Sequence, residues 1–578
     1  MQRFVQPMKR LALASATLLL LAACSDSNPP SEQAASHKAA AIASDLLVQV
    51  PADTPYLYVS SQPLPEGLAD RFLESANQEL IQARQDLQAR ATGQAGLPAP
   101  ARVMLALFDE LEGKLSREGL ASLGIPVEGY SLIYGLGPLP VLRREISDQG
   151  KVEALLQRIE QKSGVSAPRG QFQGHEYRRF SDNKKWVLIL ATTPKELLAA
   201  LLPLSQEQQL LPLLLGQQRP QTSLADTHDY QQFLTDNRFL GYGDGYLDLR
   251  GLSTIMLGAA QGVNGRVWQA LDTPASHTSP QCKQLTERLV ADTPRWVMGL
   301  TRVSDNAFTL HSLLETSPEV GAHLQKLTAS TPGHTAAQPA MFSLGLALSL
   351  PAARDGIKQA LRYLLDQGKG CAWVKQREIT TAMLSMDMLL NPMVAGIKGV
   401  EVRLNDLELD PASLQPKGVD AQLLLSVDDP KGMIAMASML NPSLARLQVP
   451  ADGSPVALDL QGVAPGAPRA YVAIKDKLLV LASGEHASQG IERLLAAPGG
   501  SNPPLLHLSY DLQKLGERAR PLLEKRIESM KRKGGTQLAN AQQALNALNA
   551  ATRGYQRVDW TLRGDARGLV MDMDAQLK

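Results

Sequence analysis

The sequence is poor in the residue types from which many binding surfaces are built. Aromatic residues make up only 4% of its 578 residues, too few for a sugar-binding surface made of ranks of Trp and Tyr. Lys and Arg number 58 and Asp and Glu 57, so the chain has no overall field that would attract nucleic acid. After the N-terminal leader, no apolar run is long enough to span a bilayer. Composition therefore predicts a soluble globular chain with no nucleic-acid partner.

Motifs of catalysis and metal binding are also scarce. The nine histidines are scattered, with neither H-E-x-x-H nor a pair at the spacing of helical ligands, so no metal site and no cofactor are expected. G-x-S-x-G is absent. Three short stretches do resemble functional motifs, and the context of each one favours a structural interpretation.

The first stretch, Ser181-Asp182-Asn183-Lys184, contains S-x-x-K and S-D-N but lies between two strand-like runs, which predicts a hairpin loop. Gly241–Gly245 resembles a phosphate loop, yet a strand rather than a helix follows it, which predicts a glycine-rich turn. Ser483–His486 places serine, acid and histidine at a helix start, where capping explains them better. We therefore predict no catalytic residue and a protein that is not an enzyme. An envelope hydrolase whose site is dispersed in sequence is the alternative.

The N-terminus has the organisation of an export signal. Three basic residues precede the apolar run Leu11–Leu21, which is too short to span a bilayer comfortably. Leu21-Ala22-Ala23-Cys24 closes this run and resembles the lipobox of bacterial lipoproteins. The resemblance implies cleavage after residue 23, acylation of Cys24 and attachment to a membrane through the N-terminal lipid. An ordinary secretory signal with a chance cysteine is the alternative.

The residues after Cys24 predict the location of the protein. Ser25, rather than aspartate, follows the cysteine, which in the enterobacterial sorting pattern implies the outer membrane, facing the periplasm. Asp26 weakens that inference for other bacteria, and the inner membrane is the less favoured site. Residues 24–45 predict a flexible tether. The basic stretch Arg518–Lys533 is typical of a solvated helix face. The candidate partners of the protein are anionic lipid, a cell-wall polymer or another envelope protein.

The mature sequence contains an internal duplication. Four segments of its first half have counterparts in the second half, in the same order. Each half closes on a hairpin-like pair, Arg295–Glu315 and Tyr555–Leu577. The paired segments are Leu120–Leu136 with Met393–Leu409, Ser147–Ile159 with Val427–Leu440, Lys184–Leu202 with Asp476–Leu495, and Tyr246–Leu252 with Ser509–Leu515. In the third pair, each member predicts a buried strand followed by an amphipathic helix.

Hairpin-like neighbours and unevenly spaced helices favour an α+β fold over a doubly wound one. We predict two tandem related halves, each a largely antiparallel sheet packed with helices. Together with Val50–Val59, this order of elements resembles an uncharacterised family of secreted bacterial proteins with repeated α+β units, which implies no activity. The predicted boundaries are a signal peptide at 1–23, a tether at 24–45, a first half at 46–328, a linker at 329–340 and a second half at 341–578.

Cys282 and Cys371 are the cysteines that remain beside Cys24. An oxidising envelope favours a disulfide between them, and no C-x-x-C or nearby histidine pair offers a metal alternative. Two unpaired buried thiols are the other interpretation. Because Cys282 and Cys371 do not occupy equivalent positions in the repeat, a disulfide between them would link one half to the other. A lipid-anchored protein that binds or scaffolds is the function that these features favour.

The lipid anchor can be tested directly. Mass spectrometry of the mature N-terminus should find an acylated Cys24, because the lipobox cysteine becomes the first residue of the processed chain. An unmodified terminus at another residue would contradict the prediction. Cys24→Ala should release or mislocalise the protein.

Overall fold

The chain folds into helices and antiparallel sheet, as an α+β fold requires, and forms two compact units. The first unit comprises the described residues up to Leu271 together with 286–312, and the second comprises 279–285 and 313–578. The computed structural model describes residues 46–91, 99–181, 185–271, 279–329, 340–389, 396–409, 416–440, 444, 446–458, 469–496, 503–531 and 536–578.

The sheet of the first unit has the strand order β4-β5-β6-β7-β3-β2-β1-β8-β9-β10. Its strands are β1 (Tyr56–Ser60), β2 (Ser131–Leu136), β3 (Leu139–Glu145), β4 (Arg169–Phe172), β5 (His175–Ser181), β6 (Trp186–Thr192), β7 (Glu196–Pro203), β8 (Tyr242–Asp248), β9 (Arg295–Ser304) and β10 (Ala307–Glu315), the last of which ends three residues beyond the limit of the unit at Ser312.

Helices of the first unit bury their apolar stripes. Leu68, Leu73 and Leu80 of α1 are all buried. The helix α4 starts at Asp148, whose carboxylate accepts a hydrogen bond from the Lys151 amide at 3.0 Å. The helices are α1 (Glu66–Ala91), α2 (Ala99–Leu111), α3 (Arg117–Ser122), α4 (Gln149–Ser163), α5 (Glu207–Leu214), α6 (Leu224–Thr227), α7 (Asp229–Asn237), α8 (Leu249–Met256), α9 (Gly262–Ala270) and α10 (Pro280–Asp292), whose first turn groups with the second unit.

The sheet of the second unit has the strand order β14-β15-β16-β13-β12-β11-β17-β18-β19. Its strands are β11 (Phe342–Ala347), β12 (Ile397–Leu409), β13 (Pro416–Val427), β14 (Val456–Leu458), β15 (Ala470–Lys475), β16 (Leu478–Ser483), β17 (Leu506–Asp511), β18 (Tyr555–Asp565) and β19 (Gly568–Leu577).

The helices of the second unit are less deeply packed. The helix α15 lies on a small core that contains Leu424, Val480 and Ile491, whereas no side chain of α12 is fully buried. The helices are α11 (Pro318–Leu327), α12 (Leu350–Gln367), α13 (Gln376–Leu389), α14 (Pro430–Leu440), α15 (Ala487–Ala496), α16 (Leu512–Lys531) and α17 (Thr536–Gly554). Among the described residues, no helix has the length and apolarity to cross a membrane.

The predicted closing hairpins are confirmed as β9–β10 and β18–β19. The helix predicted after Trp186–Thr192 is wrong, because Glu196–Pro203 is the strand β7. Leu and Ala favour helix intrinsically, but β7 pairs with β3 on one side and with β6 on the other. A central position in a sheet outweighs intrinsic propensity. The first unit ends at Ser312, inside β10. Of the predicted linker 329–340, residues 330–339 lie outside the described residues.

Cys282 and Cys371 lie at disulfide distance, with their Cα atoms 5.1 Å apart, as predicted. Cys282 is in the first turn of α10 and Cys371 in the turn between α12 and α13. Both cysteines belong to the second unit. The expectation that the bond would join the two halves is therefore not met, although the chain between the two cysteines includes residues 286–312 of the first unit.

Removing this bond should destabilise the folded protein. The bond spans 89 residues, and in the chain-entropy model the closure of such a loop contributes up to about 4–5 kcal/mol. We expect Cys282→Ser with Cys371→Ser to lower the thermal midpoint of unfolding. Alkylation of the denatured, unreduced protein should leave both cysteines unlabelled in peptide mass spectra, and two labelled cysteines would contradict the bond.

Candidate functional site

Ser181, the described residue of the S-D-N-K stretch, is the last residue of the strand β5. The strands β5 and β6 pair antiparallel on either side of the stretch, and Ser181 pairs with Val187. The Ser181 hydroxyl donates a hydrogen bond to the Trp186 carbonyl at 2.9 Å. Residues 182–184 lie outside the described residues. The described part of the stretch is thus a hairpin end and not the start of a buried helix.

The glycine-rich stretch is a strand rather than the predicted turn. Residues from Tyr242 onward form β8, and Asp244 is fully buried in it. The Asp244 carboxylate accepts hydrogen bonds from the amides of Gly241 (2.6 Å) and Leu300 (3.2 Å). Burial outweighs these bonds and raises the pKa of Asp244 to about 8. A Cβ at Gly243 would lie 2.6 Å from the Tyr58 hydroxyl, so glycine is needed there for close packing.

The third stretch, Ser483–His486, joins β16 to α15. The Ser483 hydroxyl donates to the Val419 carbonyl at 3.1 Å, so it is engaged with β13 rather than with a helix amide. The side chains of Glu485 and His486 are exposed. The stretch connects two elements, and its serine hydroxyl has a structural partner.

A polar cleft of about 430 Å³ lies beside α4 in the first unit. Arg178 forms ion pairs with Glu153 and Glu160, each at 2.6 Å. The Thr192 hydroxyl donates to Glu153 at 2.5 Å. Burial raises the pKa of Glu153, but the bonds from Thr192 and Arg178 outweigh it and hold the pKa below its ordinary value. The one arginine is therefore shared by two carboxylates, and these three groups keep a net charge of −1. In the described part of the chain, no group of three His, Cys, Asp or Glu residues is placed to hold a metal ion.

The sheet of the second unit has an unusual distribution of polarity. On one face, polar side chains from three neighbouring strands are almost completely buried. They are Ser343 (6% exposed), Glu401 (4%), Arg403 (4%), His507 (5%) and Ser509 (1%). The register aligns Arg403, Ser343, Ser509 and Asp559 in one row across β12, β11, β17 and β18. We call this the polar face.

Hydrogen bonds and ion pairs compensate the burial of the polar face. Arg557 donates to the Ser509 hydroxyl at 2.7 Å and to Asp559 at 2.8 Å. His507 lies 3.8 Å from the Asp559 carboxylate, and Arg403 pairs with Glu401. Burial raises the pKa of Asp559, but interactions with His507, Arg557 and Ser509 outweigh it and hold the pKa well below its ordinary value. The serine and the histidine both flank Asp559, which differs from the serine–histidine–acid order of a catalytic triad.

The opposite face of the same sheet is apolar and remains partly open to solvent. Two rows of side chains cross six strands, from β19 through β18, β17, β11 and β12 to β13. None of these side chains is fully buried, and Leu344 and Leu346 at the centre are 36% and 37% exposed. We call these rows the open face. They are Met573–Trp560–Leu508–Leu344–Val402–Leu423 and Met571–Leu562–Leu506–Leu346–Val400–Leu425.

The two ends of the strands that carry the open face differ in charge. At the end where β12 begins, Lys398 and Lys477 each approach the Asp428 carboxylate to 3.1 Å. Bonds from Lys477 and Lys398 hold the pKa of Asp428 below its ordinary value, so two cations share one carboxylate. At the other end, a groove of about 450 Å³ includes the carboxylates of Asp406 and Asp420.

Sequence reasoning did not identify the open face. The alternation is visible in V-E-V-R-L at 400–404 and in L-H-L-S-Y at 506–510, and it predicts strands with one polar and one apolar side. Such a pattern normally places the apolar side in the core. Only the cross-strand register shows that the polar side is the one that this unit buries.

The Asp559 network should be visible in the pH dependence of stability. Because the pKa of Asp559 is lower in the folded than in the unfolded state, its contribution is present above about pH 4 and is lost as the pH falls through the folded-state value. Asp559→Asn should lower the free energy of unfolding at neutral pH by about 1–3 kcal/mol, since buried donors lose a charged acceptor. Denaturant titrations between pH 2 and pH 7, with Asp366→Asn on the surface of α12 as control, check this. Parallel curves for wild type and Asp559→Asn would contradict it.

Comparison with known proteins adds no further information on these surfaces. The sequence matches no protein-family model, no curated protein and no solved structure. The chemistry of the polar cleft and of the open face is therefore what bears on the function of the protein.

Proposed function

We propose that the protein is a non-catalytic binding protein, tethered to the bacterial outer membrane through acylated Cys24 and facing the periplasm. Its ligand on this proposal is an amphiphile with an acyl chain and an anionic head group. The observation that carries the proposal is the open face of the second unit, where Leu344 and Leu346 are 36% and 37% exposed among partly buried apolar neighbours. Contiguous exposed apolar surface on a folded protein marks an interaction site.

The dimensions of the open face suit a hydrocarbon chain. At the β13 end, Leu425 packs against a core cluster that contains Val472 and Leu479. Neighbouring strands lie about 4.8 Å apart, so the part of a row from β19 to β12 is about 19 Å long. This length exceeds the roughly 15 Å that a lipid chain occupies in one leaflet of a bilayer. The flexible side chains of Met571 and Met573 at one end can adapt to chains of different shape.

The chemistry of the open face favours an acyl chain over a polypeptide. Apart from the indole nitrogen of Trp560, its side chains are hydrocarbon or thioether. A bound polypeptide needs partners for its backbone N–H and C=O groups, and burying them unpaired is costly. An acyl chain brings no such groups, so its burial gains hydrophobic free energy without that cost.

The lysine end of the face suits an anionic head group. Lys398 and Lys477 carry one more charge than Asp428 neutralises, and Lys477 is 64% exposed. At the opposite end, Arg518 pairs with Asp406 at 2.7 Å. The groove there also contains Glu408, Asp420 and Glu485 against the single cation Arg469, so its remaining negative charge would repel an anion. The head group of the ligand therefore lies toward Lys398 and Lys477.

We also infer that the two units are copies of one duplicated unit. Both sheets place strands in the same order around their first strand: β3-β2-β1-β8-β9 in the first unit and β13-β12-β11-β17-β18 in the second. Asp248 and Asp511 each start a helix by accepting an amide hydrogen bond at 2.9 Å. Their own amides donate to equivalent carbonyls, those of Pro55 and Met341.

On this alignment the copies have diverged in the sheet. Leu57, Tyr246 and Val297 form one cross-strand row of the first unit, in which Leu57 and Val297 are buried. The same row of the second unit holds Ser343, Ser509 and Asp559. The exchange from an apolar to a polar row supports a specialised role for the second unit.

A fluorescent fatty acid tests the ligand. A protein that starts at Ser25 lacks the acylation site. All of the residues that it lacks precede the first described element. We expect saturable binding of 11-dansylaminoundecanoic acid. Leu344→Gln with Leu346→Gln should weaken it about tenfold, since two leucines together contribute about 1–2 kcal/mol of additional burial. The absence of saturable binding, or an unchanged affinity in the folded double variant, would overturn the proposal.

Matched variants separate the two ends of the ligand. Met439 is apolar and 76% exposed but lies on α14, outside the two rows, so Met439→Gln should leave the affinity unchanged. Lys477→Gln should weaken binding of the acid but not of its methyl ester, because only the acid carries a charge. Equal effects on acid and ester would contradict the proposed orientation.

A further inference from the structure

The end of α12 and the turn between α12 and α13 expose two large aromatic side chains. Trp373 is 52% exposed and Tyr363 is 38% exposed. Large aromatic residues are normally well buried on average, because they contribute much apolar area to a core. We call residues 362–378 the arm tip.

The exposed side chain of Trp373 lies in a turn that several contacts hold in place. The disulfide joins Cys371 to Cys282, and the Trp373 indole donates a hydrogen bond to the Cys282 sulfur at 3.2 Å. The Cys371 amide donates to the Gly368 carbonyl at 3.0 Å, and the Val374 amide donates to the Cys371 carbonyl at 2.9 Å. These contacts hold the indole in place with half of its surface in solvent.

The charge around these aromatic side chains is positive. The arm tip contains four cations and two carboxylates, whereas the whole chain carries a formal net charge of only +1. Lys375 pairs with Glu378 at 3.1 Å. The cations are Arg362, Lys369, Lys375 and Arg377, and all four side chains are exposed.

We propose that the arm tip docks on the surface of an anionic lipid bilayer. Trp and Tyr favour the boundary between head groups and acyl chains, where the apolar ring is buried and the polar atom stays hydrated. Exposed Lys and Arg beside them attract anionic head groups. This contact is additional to the lipid on Cys24 and does not depend on the ligand of the open face.

Vesicle flotation with the chain starting at Ser25 tests the contact without help from an acyl anchor. We expect binding to phosphatidylcholine vesicles that contain half phosphatidylglycerol, little binding to pure phosphatidylcholine, and release by high salt. Trp373→Ser should weaken binding about tenfold, and Lys369→Glu with Lys375→Glu should weaken it at least as much. Unchanged binding in these folded variants, or the absence of binding to anionic vesicles, would overturn the proposal.

Two control variants locate the effect. Trp296 is an exposed tryptophan of the first unit, and Trp296→Ser should bind vesicles as wild type does. Lys525→Glu with Arg526→Glu makes the same charge change on α16 and should leave vesicle binding unchanged. If this variant loses binding while the arm-tip variants keep it, the proposal is overturned. Trp373→Ser should not alter fatty-acid binding, so the proposals for the arm tip and for the open face are tested independently.

Discussion

A β-strand sends successive side chains to opposite faces, and this constraint links the main features of the second unit. Burying Glu401, Arg403 and Ser509 on one side of the sheet turns their apolar neighbours in sequence to the other side. A shift of register by one residue would exchange the two faces and leave the Asp559 network unformed. The ion pairs of the polar face therefore fix the register in which the apolar side chains lie on the open face.

The local elements were predictable because they depend on nearby residues. Asp148 and Asp511 directly precede α4 and α16, and each accepts an amide hydrogen bond from the first turn of its helix. The closing hairpins were recognisable from paired apolar runs. The strand β7 was not, because Glu196–Pro203 is composed of good helix formers and becomes a strand through its neighbours β3 and β6.

The candidate site was less predictable because it depends on residues far apart in sequence. The row that joins Arg403, Ser343, Ser509 and Asp559 brings together four separate strands. Each strand shows its alternation locally, but which side is buried depends on whether the polar groups find partners across the sheet. The cysteine pair was predictable by elimination, whereas its place within one unit depends on the packing of the first turn of α10.

The open surfaces of the second unit imply that cross-links supply part of its stability. In the first unit, the helix after the first strand, α1, buries Leu68 and Leu73. At the same place in the second unit, α12 buries no side chain completely. Less apolar burial means less hydrophobic stabilisation. The Cys282–Cys371 pair fixes the end of this helix, and the Asp559 network joins neighbouring strands. With these constraints, a unit can leave apolar surface available for binding and still keep one structure.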